Sequence, residues 1–378
     1  MSLENNSYLS LKDLQTVCLK QYIPFASYRL PLQQDITTLV QHQSFPAEID
    51  SLEDIEKRTG FIIAPFFGTE QHHSFLLKPD AIFQADNIAP AFIKDLSENS
   101  VFLSTEKPSD KEIITTAPED FIQQVNDAKQ VMEEGKFHKV VLSKVRNETL
   151  NNDFDTSEFF LHLCLTYPHA FVYIIQLPEV GCWIGASPEP LLVIEYGKVK
   201  TVSLAGTQIA TDAEIDSYRW GEKEIKEQGI VTGFVEETLK KIGINNYTLQ
   251  GPESYKAGNL IHLKTSFEFD SNNLKNRLGV FLKAIHPTPS VGGLPKEAAR
   301  NFILKNEKHD RAYYTGFLGP LNIEGKSNLF VNLRCLQLCH RKFVLYSGAG
   351  ITVSSVAEKE WEETDNKMLT MMNVLRNL

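Results

Sequence analysis

Five cysteines in 378 residues, with no Cys-x-x-Cys among them, are too few and too scattered for a zinc site or a disulfide framework. Of Cys18, Cys164, Cys182, Cys335 and Cys339, the last two fall on one side of a strand, as small buried hydrophobes do. No run of 18 apolar residues exists to span a bilayer as a helix. The first residues, MSLENNSYLS, have neither a basic nor an apolar signal region, so no secretory leader is expected. A Gly-x-Gly-x-x-Gly after a first strand is missing, as is a P-loop Gly-Lys-Ser/Thr, which excludes those two ways of cradling phosphate. There is no internal repeat at a solenoid period. Basic residues are also in deficit: 38 Lys and Arg against 48 Asp and Glu give a net charge of −10. A nucleic-acid binder needs a basic face, so that class is disfavoured. An anionic small substrate stays open, because a pocket can be locally positive inside an acidic protein. The expectation is a reduced, cytoplasmic, soluble protein that engages neither membrane nor nucleic acid.

What is present is ordinary globular composition, 42% hydrophobic and 23% charged, on a chain long enough for a large core. Residues 1–115 show only short strand-like runs, such as Gly60–Phe67 and Ser74–Lys78. The pattern then sharpens. Pro118–Glu134 predicts an amphipathic helix stopped at Gly135, His138–Arg146 a strand, and Phe159–Leu165 a helical turn before Pro168. Phe171–Leu177, Cys182–Ala186, Leu191–Glu195 and Lys198–Leu204 read as a meander, with turns such as Tyr196-Gly197 between strands. Ile215–Ile242 predicts a long helix, Ile261–Asp270 a strand, and Leu274–Ile285 and Lys296–Lys308 helices around HPTPSVGGLP. Strands are expected at Ala312–Ile323, Ser327–Leu338 and Lys342–Ser347, and a last helix at about Ala357–Leu375. Runs of adjacent strands interrupted by helices indicate an α+β fold with antiparallel sheets. No Pro/Gly/Ser linker divides the chain, which predicts one domain over 1–378, divergent over residues 1–115 and motif-bearing over residues 116–378.

Two Glu-x-x-Glu pairs stand out, Glu224/Glu227 and Glu360/Glu363, each placing two carboxylates on one helix face. Like charges on one face repel, and a divalent cation shared between the helices would explain both pairs. All-oxygen ligation favours a hard ion such as Mg2+. Taken singly, either pair is as readily a solvated face of an acidic protein. Lys139 heads the apolar run Val140-Val141-Leu142, where desolvation would favour a neutral amine able to act as a base; a strand-end lysine reaching solvent is the simpler alternative. Glu189, in ASPEP, has its backbone fixed by a proline on each side; burial would make it a proton donor, and otherwise it is a turn carboxylate. LAGTQ (204–208) and SGAGIT (347–352) end strands in small residues whose N–H groups can line a carboxylate site. Arg334 has the chemistry to pair bidentately with a carboxylate, from substrate or protein. On the last helix Glu360, Glu363 and Lys367 share a polar stripe, distinct from an apolar one of Trp361, Met368, Met372 and Leu375.

In order along the chain, KVVLSK (139–144), ASPEPLL (186–192), LAGTQ, KEIKEQ (223–228), HPTPSVGGLP (286–295), NLRC (332–335), SGAGIT and EWEETDNK (360–367) resemble the chorismate-utilising enzymes. That family includes isochorismate synthases, salicylate synthases and the large subunits of anthranilate and aminodeoxychorismate synthases. The resemblance covers residues 115–378. It implies a single domain of two large, mostly antiparallel sheets with helices around them, and an Mg2+-bound dicarboxylate substrate. By motif, Glu227 and Glu363 resemble the metal ligands, with Glu224 and Glu360 beside them. Gly206, Thr207, Arg334, Gly350 and Lys367 resemble substrate-binding positions. Lys139, where ammonia-using members carry Gln, and Ala205, where aminodeoxychorismate synthases carry Lys, both point to water as the nucleophile. The implied activity is isochorismate synthase, with Lys139 as base and Glu189 as acid, and no obligatory amidotransferase partner. The rival is a salicylate synthase, and more distantly an anthranilate synthase component I. One position departs from the family pattern: Gln228 stands where His is usual, which puts the support of a neighbouring ligand carboxylate in question.

Overall fold

Phe171–Leu177 carries bulky side chains on both faces, so it has no face to offer water. It is an inner strand, buried at every position, with a partner on each side. The computed structural model describes residues 9–101, 114–149, 154–209, 218–257, 260–339 and 342–378. Its N-terminal third holds helix α1 (Leu9–Gln21), strands β1 (Phe25–Arg29), β2 (Thr37–Val40), β3 (Ala47–Ile49), β4 (Gly60–Ala64), β5 (Ser74–Leu77) and β6 (Ala81–Gln84), and helix α2 (Pro90–Asn99). There follow α3 (Pro118–Glu133), β7 (Lys139–Thr149), α4 (Thr156–Thr166), β8 (Phe171–Leu177), β9 (Gly181–Ser187), β10 (Pro190–Glu195) and β11 (Lys198–Ile209). After these come α5 (Glu222–Lys241), β12 (Thr248–Ala257), β13 (Leu260–Asp270), α6 (Leu278–Ile285), β14 (Gly293–Leu294) and α7 (Lys296–Asn306). The chain closes with β15 (Phe317–Leu321), β16 (Ser327–Val331), β17 (Cys335–Cys339), β18 (Lys342–Ile351) and α8 (Ala357–Leu375).

Two nine-stranded antiparallel sheets result, ordered β14-β7-β18-β17-β9-β8-β1-β2-β6 and β12-β13-β11-β10-β16-β15-β4-β5-β3. The fold is α+β, as the strand runs predict. Between the sheets lies an aromatic core in which Phe171 of one stacks on Phe330 of the other, ring centres 4.3 Å apart. Outside the first sheet, α1, α2, α4 and a portion of α8 cover a second core, while α3 and α7 cover β7 and β18. Helices α5 and α6 close the outer side of the second sheet. The N-terminal third, nearly opaque in the sequence, supplies three strands to each sheet.

The expected strand Ser327–Leu338 is two strands. β16 belongs to the second sheet and β17 to the first, and Arg334 sits between them with φ 48°. Its apolar alternation runs on across the break, so a period-two pattern carries no trace of the change of sheet. β9 and β10 make the opposite crossing at Pro188-Glu189, and the two crossings run side by side. The Ala186 N–H donates to the Arg334 carbonyl at 3.0 Å, and the Val331 N–H to the Glu189 carbonyl at 2.9 Å. Other expected bounds move less. The strand predicted from Ala312 begins at Phe317, the helix predicted from Leu274 begins at Leu278, and α5 begins at Glu222. Residues 215–217 of that predicted helix lie outside the described residues. β12 has no counterpart among the expected strands: it is an edge strand of polar, exposed residues with no alternation to reveal it.

Candidate active site

Where the two crossings pass each other, the sheets separate and leave a cavity of about 510 Å³. Lys139, Gly206 and Gly350 reach it from strands, Glu189 and Arg334 from the two crossings, and Glu224, Glu227, Glu360, Glu363 and Lys367 from α5 and α8. Ten of the eleven residues singled out in the sequence therefore share one space. The eleventh, Thr207, follows Gly206 in β11; its side chain lies outside the described residues.

The strand wall is built by close backbone approach. β11 slips register between Ala205 and Gln208, and Gly206 occupies that bulge at φ 67°. A Cβ there would lie 3.2 Å from the Glu224 Cβ, so glycine lets α5 come down onto the strand. At Gly350 a Cβ would lie 2.9 Å from Glu227 Oε1 and 3.2 Å from Lys139 Cε, so the bare backbone makes room for that pair. Lys139 is 1% exposed, and its Nζ donates to Glu227 Oε1 at 2.7 Å. Glu189, 4% exposed, has no salt bridge among the described residues. Burial pushes its carboxyl up to about 7, even though Lys139, Arg334 and Lys367 pull it down. The Arg334 guanidinium faces the cavity and makes no ion pair among the described residues.

The helix wall is compensated charge by charge. Glu363 pairs with Lys367 at 2.6 Å, and Lys367 also donates to the Gly348 carbonyl at 2.9 Å. Burial would raise the Glu363 carboxyl, but Lys367, Lys223 and Arg334 together hold it below the usual carboxylate range. Glu360, 3% exposed, pairs with Lys223 of α5 at 3.2 Å. Burial and the neighbouring Glu363 keep its carboxyl raised. Glu224 accepts from the Gln208 amide at 3.2 Å. Among the described residues no three His, Cys, Asp or Glu side chains gather into one metal-binding group. Instead lysines neutralise three of the four acids. The donor set still fits a hard cation in kind: four carboxylates from two helices line one space, Glu227 paired with Lys139 and Glu363 with Lys367.

Gln228 turns away from this wall. Its amide donates to the Ser203 carbonyl (3.2 Å) and hydroxyl (3.0 Å) and to the Thr265 hydroxyl (2.9 Å), pinning α5 onto β11 and β13. It supports the helix, and its side chain makes no hydrogen bond to Glu224 or Glu227 among the described residues. Among the cavity residues to which the sequence reading gave no role are His262, Lys223 and Tyr314. His262 is buried, and its Nδ1 hydrogen-bonds the Gly206 carbonyl at 2.9 Å. Burial, with Arg334 next, drives its imidazole down to about 3, so it is neutral and donates from Nδ1. A single His inside the apolar strand LIHLKT was the available signal. Lys223 stood inside the KEIKEQ motif without a role of its own, and Tyr314 gave no signal, because their importance depends on which elements meet.

Residues 6–376 match the family described as chorismate binding enzyme. The isochorismate synthase EntC of Escherichia coli is 30% identical over 260 residues, 67% of this chain and 66% of the relative, so just under two thirds of its length is matched. The isochorismate synthase DhbC of Bacillus subtilis is 27% identical over 68% of both chains. Among solved structures, the putative 2,3-dihydroxybenzoate-specific isochorismate synthase DhbC of Bacillus anthracis superposes with a TM-score of 0.76 at 22% identity, covering 97% of this chain and 99% of its own. Anthranilate synthase component I of Streptococcus pneumoniae gives a TM-score of 0.64 at 19% identity, over 92% and 89%. With a match that spans nearly its whole length, and a cavity formed by the motifs that carry the likeness, this chain belongs to the chorismate-binding enzyme family.

Proposed function

We propose that the protein is an isochorismate synthase, converting chorismate to isochorismate with Mg2+ as cofactor. The observation that carries this reading is the pairing of unlike groups across one cavity. A buried lysine on one strand faces the same space as a buried carboxyl that burial holds at about 7. Such a pair suits base and acid duty within one step.

In the reaction, water forms a bond to C2 of the ring and gives its proton to Lys139. The ring double bonds shift, the C4–oxygen bond breaks, and Glu189 supplies the proton that lets hydroxyl leave as water. Atoms balance: one water enters and one departs. To act as base Lys139 must give up a proton, so that its amine presents a lone pair to the water, and exchange its ion pair with Glu227 for that contact. Arg334, unpaired by any carboxylate of the described residues, is placed to receive an anionic group of the substrate. Neutral His262 and the Gly206 backbone border the same space. Glu227 and Glu363, with Glu224 and Glu360 beside them, would hold Mg2+, which when bound would neutralise a substrate carboxylate and tether the ring. Lysines now paired with these acids would then be released.

The nearest rival, a salicylate synthase, would make the same intermediate and eliminate pyruvate. Lys139 and Ala205 speak against amine transfer, and an amidotransferase partner is not required. Incubation with chorismate and Mg2+, with and without EDTA, followed by chromatography, decides the matter. Isochorismate that disappears with EDTA is the expected result. Salicylate formed without an added lyase would replace the proposal with its rival, and an aminated product growing with ammonium would replace both.

A further inference from the structure

Behind the strand wall lies a buried ion pair that does not line the cavity. Arg311 is 4% exposed, and all five of its N–H groups are used. Nε and Nη2 donate to the two oxygens of Glu307 at 2.7 and 2.5 Å. Nη2 also reaches the Val141 carbonyl at 2.6 Å, and Nη1 reaches the Val291 carbonyl at 3.0 Å and the Thr315 hydroxyl at 3.3 Å. Glu307 in turn accepts from the Ser143 N–H (2.7 Å) and hydroxyl (2.9 Å).

The groups so gripped belong to the walls of the catalytic cavity: Val141, Val291 and Thr315 all line it. Val141 is two residues past Lys139 on the same strand face. Val291 belongs to the HPTPSVGGLP loop, where the Ser290 hydroxyl holds the Leu204 carbonyl at 2.6 Å, next to the Gly206 bulge. That loop lies against β7, with Gly293 at φ 141° and so close that a Cβ would be 2.3 Å from the Lys139 carbonyl. One guanidinium thus ties the lysine-bearing strand to the loop that reaches β11 of the other sheet. A buried ion pair is by itself weak evidence for stability. A planar fork that meets five acceptors in three segments is a geometric clamp that lysine cannot reproduce.

We propose that Arg311, held in place by Glu307, is a positioning residue for the reaction: it fixes the separation between the Lys139 strand and the HPTPSVGGLP loop. The inference rests on the isochorismate synthase reading. Its test uses a second cavity of about 410 Å³, lined by Phe66, His72, Ile303 and Arg311 itself, which gives a small guanidinium ion a route to the vacated position. In Arg311→Ala, kcat is expected to fall about 10- to 100-fold, the range for a misplaced reacting group, while KM moves by less than about threefold. Chorismate-binding stoichiometry, measured at the same temperature, should stay at the wild-type value. Millimolar guanidinium should restore a saturable fraction of the activity, and Arg311→Lys should not equal wild type. Loss of binding stoichiometry in step with kcat, no gain from guanidinium, or full activity in Arg311→Lys would each overturn the clamp. Should Arg311→Ala fail to fold, the paired variant Glu307→Gln/Arg311→Met removes the clamp without leaving a buried charge, and wild-type kcat in it would overturn the proposal. Wild-type protein that makes no isochorismate sinks the underlying reading; turnover in wild type with unaffected variants sinks only the role of Arg311.

Discussion

The two walls of the cavity are made of different materials. The strand wall holds Lys139, Glu189 and Arg334 at sites fixed by ladder hydrogen bonds and sheet crossings, and it leaves one acid buried with no ion-pair partner among the described residues. The helix wall carries four carboxylates on two helices, and lysines pair with three of them: Lys367 and Lys223 from the helices, and Lys139 from the strand wall. The walls differ in what answers burial. At Glu189 desolvation prevails and raises the carboxyl to about 7. At Glu363 the facing cations outweigh burial and hold the carboxyl low, so added cations and salt should act there.

The sharpest break in this contrast is Glu189→Gln, which replaces the titratable acid of the strand wall by a non-titrating amide of nearly the same shape. It should lower kcat by about 10²- to 10⁴-fold, the usual share of a general acid, with chorismate binding unchanged by calorimetry. A comparable loss in binding would mean that Glu189 holds substrate instead. On the helix wall, Glu363→Gln or Glu227→Gln should weaken Mg2+ at least about 10- to 100-fold, a loss that even supporting residues of metal sites cause. Titration of Mg2+ with substrate saturating reads that directly, and an unchanged midpoint would remove the acids from cation binding.

A smaller and more discriminating effect is pH. The acid role proposed for Glu189 requires its carboxyl to be protonated, so kcat should fall as pH rises through about 7, and the Gln variant should lose that limb. Its folded value is raised, so its contribution to stability is fully present below the ordinary carboxylate range. That contribution is lost as pH rises through about 7, on the order of 3 kcal/mol for a shift of this size. A thermal melt that is more pH-tolerant in Glu189→Gln than in wild type would bear this out. The mildest change is Gln228→Ala, which should cost roughly 1–3 kcal/mol of stability for its lost buried hydrogen bonds. Mg2+ affinity should barely move, because that amide faces β11 and β13. A marked fall in affinity would show that the two walls are less separable than described.

Much of this was legible beforehand because each motif sits at a strand or helix end, where composition is unusual. Prolines around Glu189, glycines at 206 and 350, and i, i+3 acids on two helices all report local geometry. Arg334 was visible as a residue but not as a place. Its strand was read straight through, because alternating side chains look the same whether a chain stays in one sheet or changes sheets. The N-terminal strands were faint, being short and often buried on both faces. β12 was silent for the opposite reason, being exposed and polar. Arg311 gave only an i, i+4 spacing from Glu307, in a segment past the end of α7 that is not helical.

The chain's own order of residues determined the class of fold, the family, and most of the charged side chains that meet in the cavity. Those depend on spacing, periodicity and the chemistry of single residues. Tertiary structure alone decided that the sheets exchange strands at the site, that lysines rather than one another face the acids, and that Gln228 looks inward to the strands. Each of these is a contact between segments far apart in sequence, and its energy comes from burial and charge pairing that no local pattern encodes.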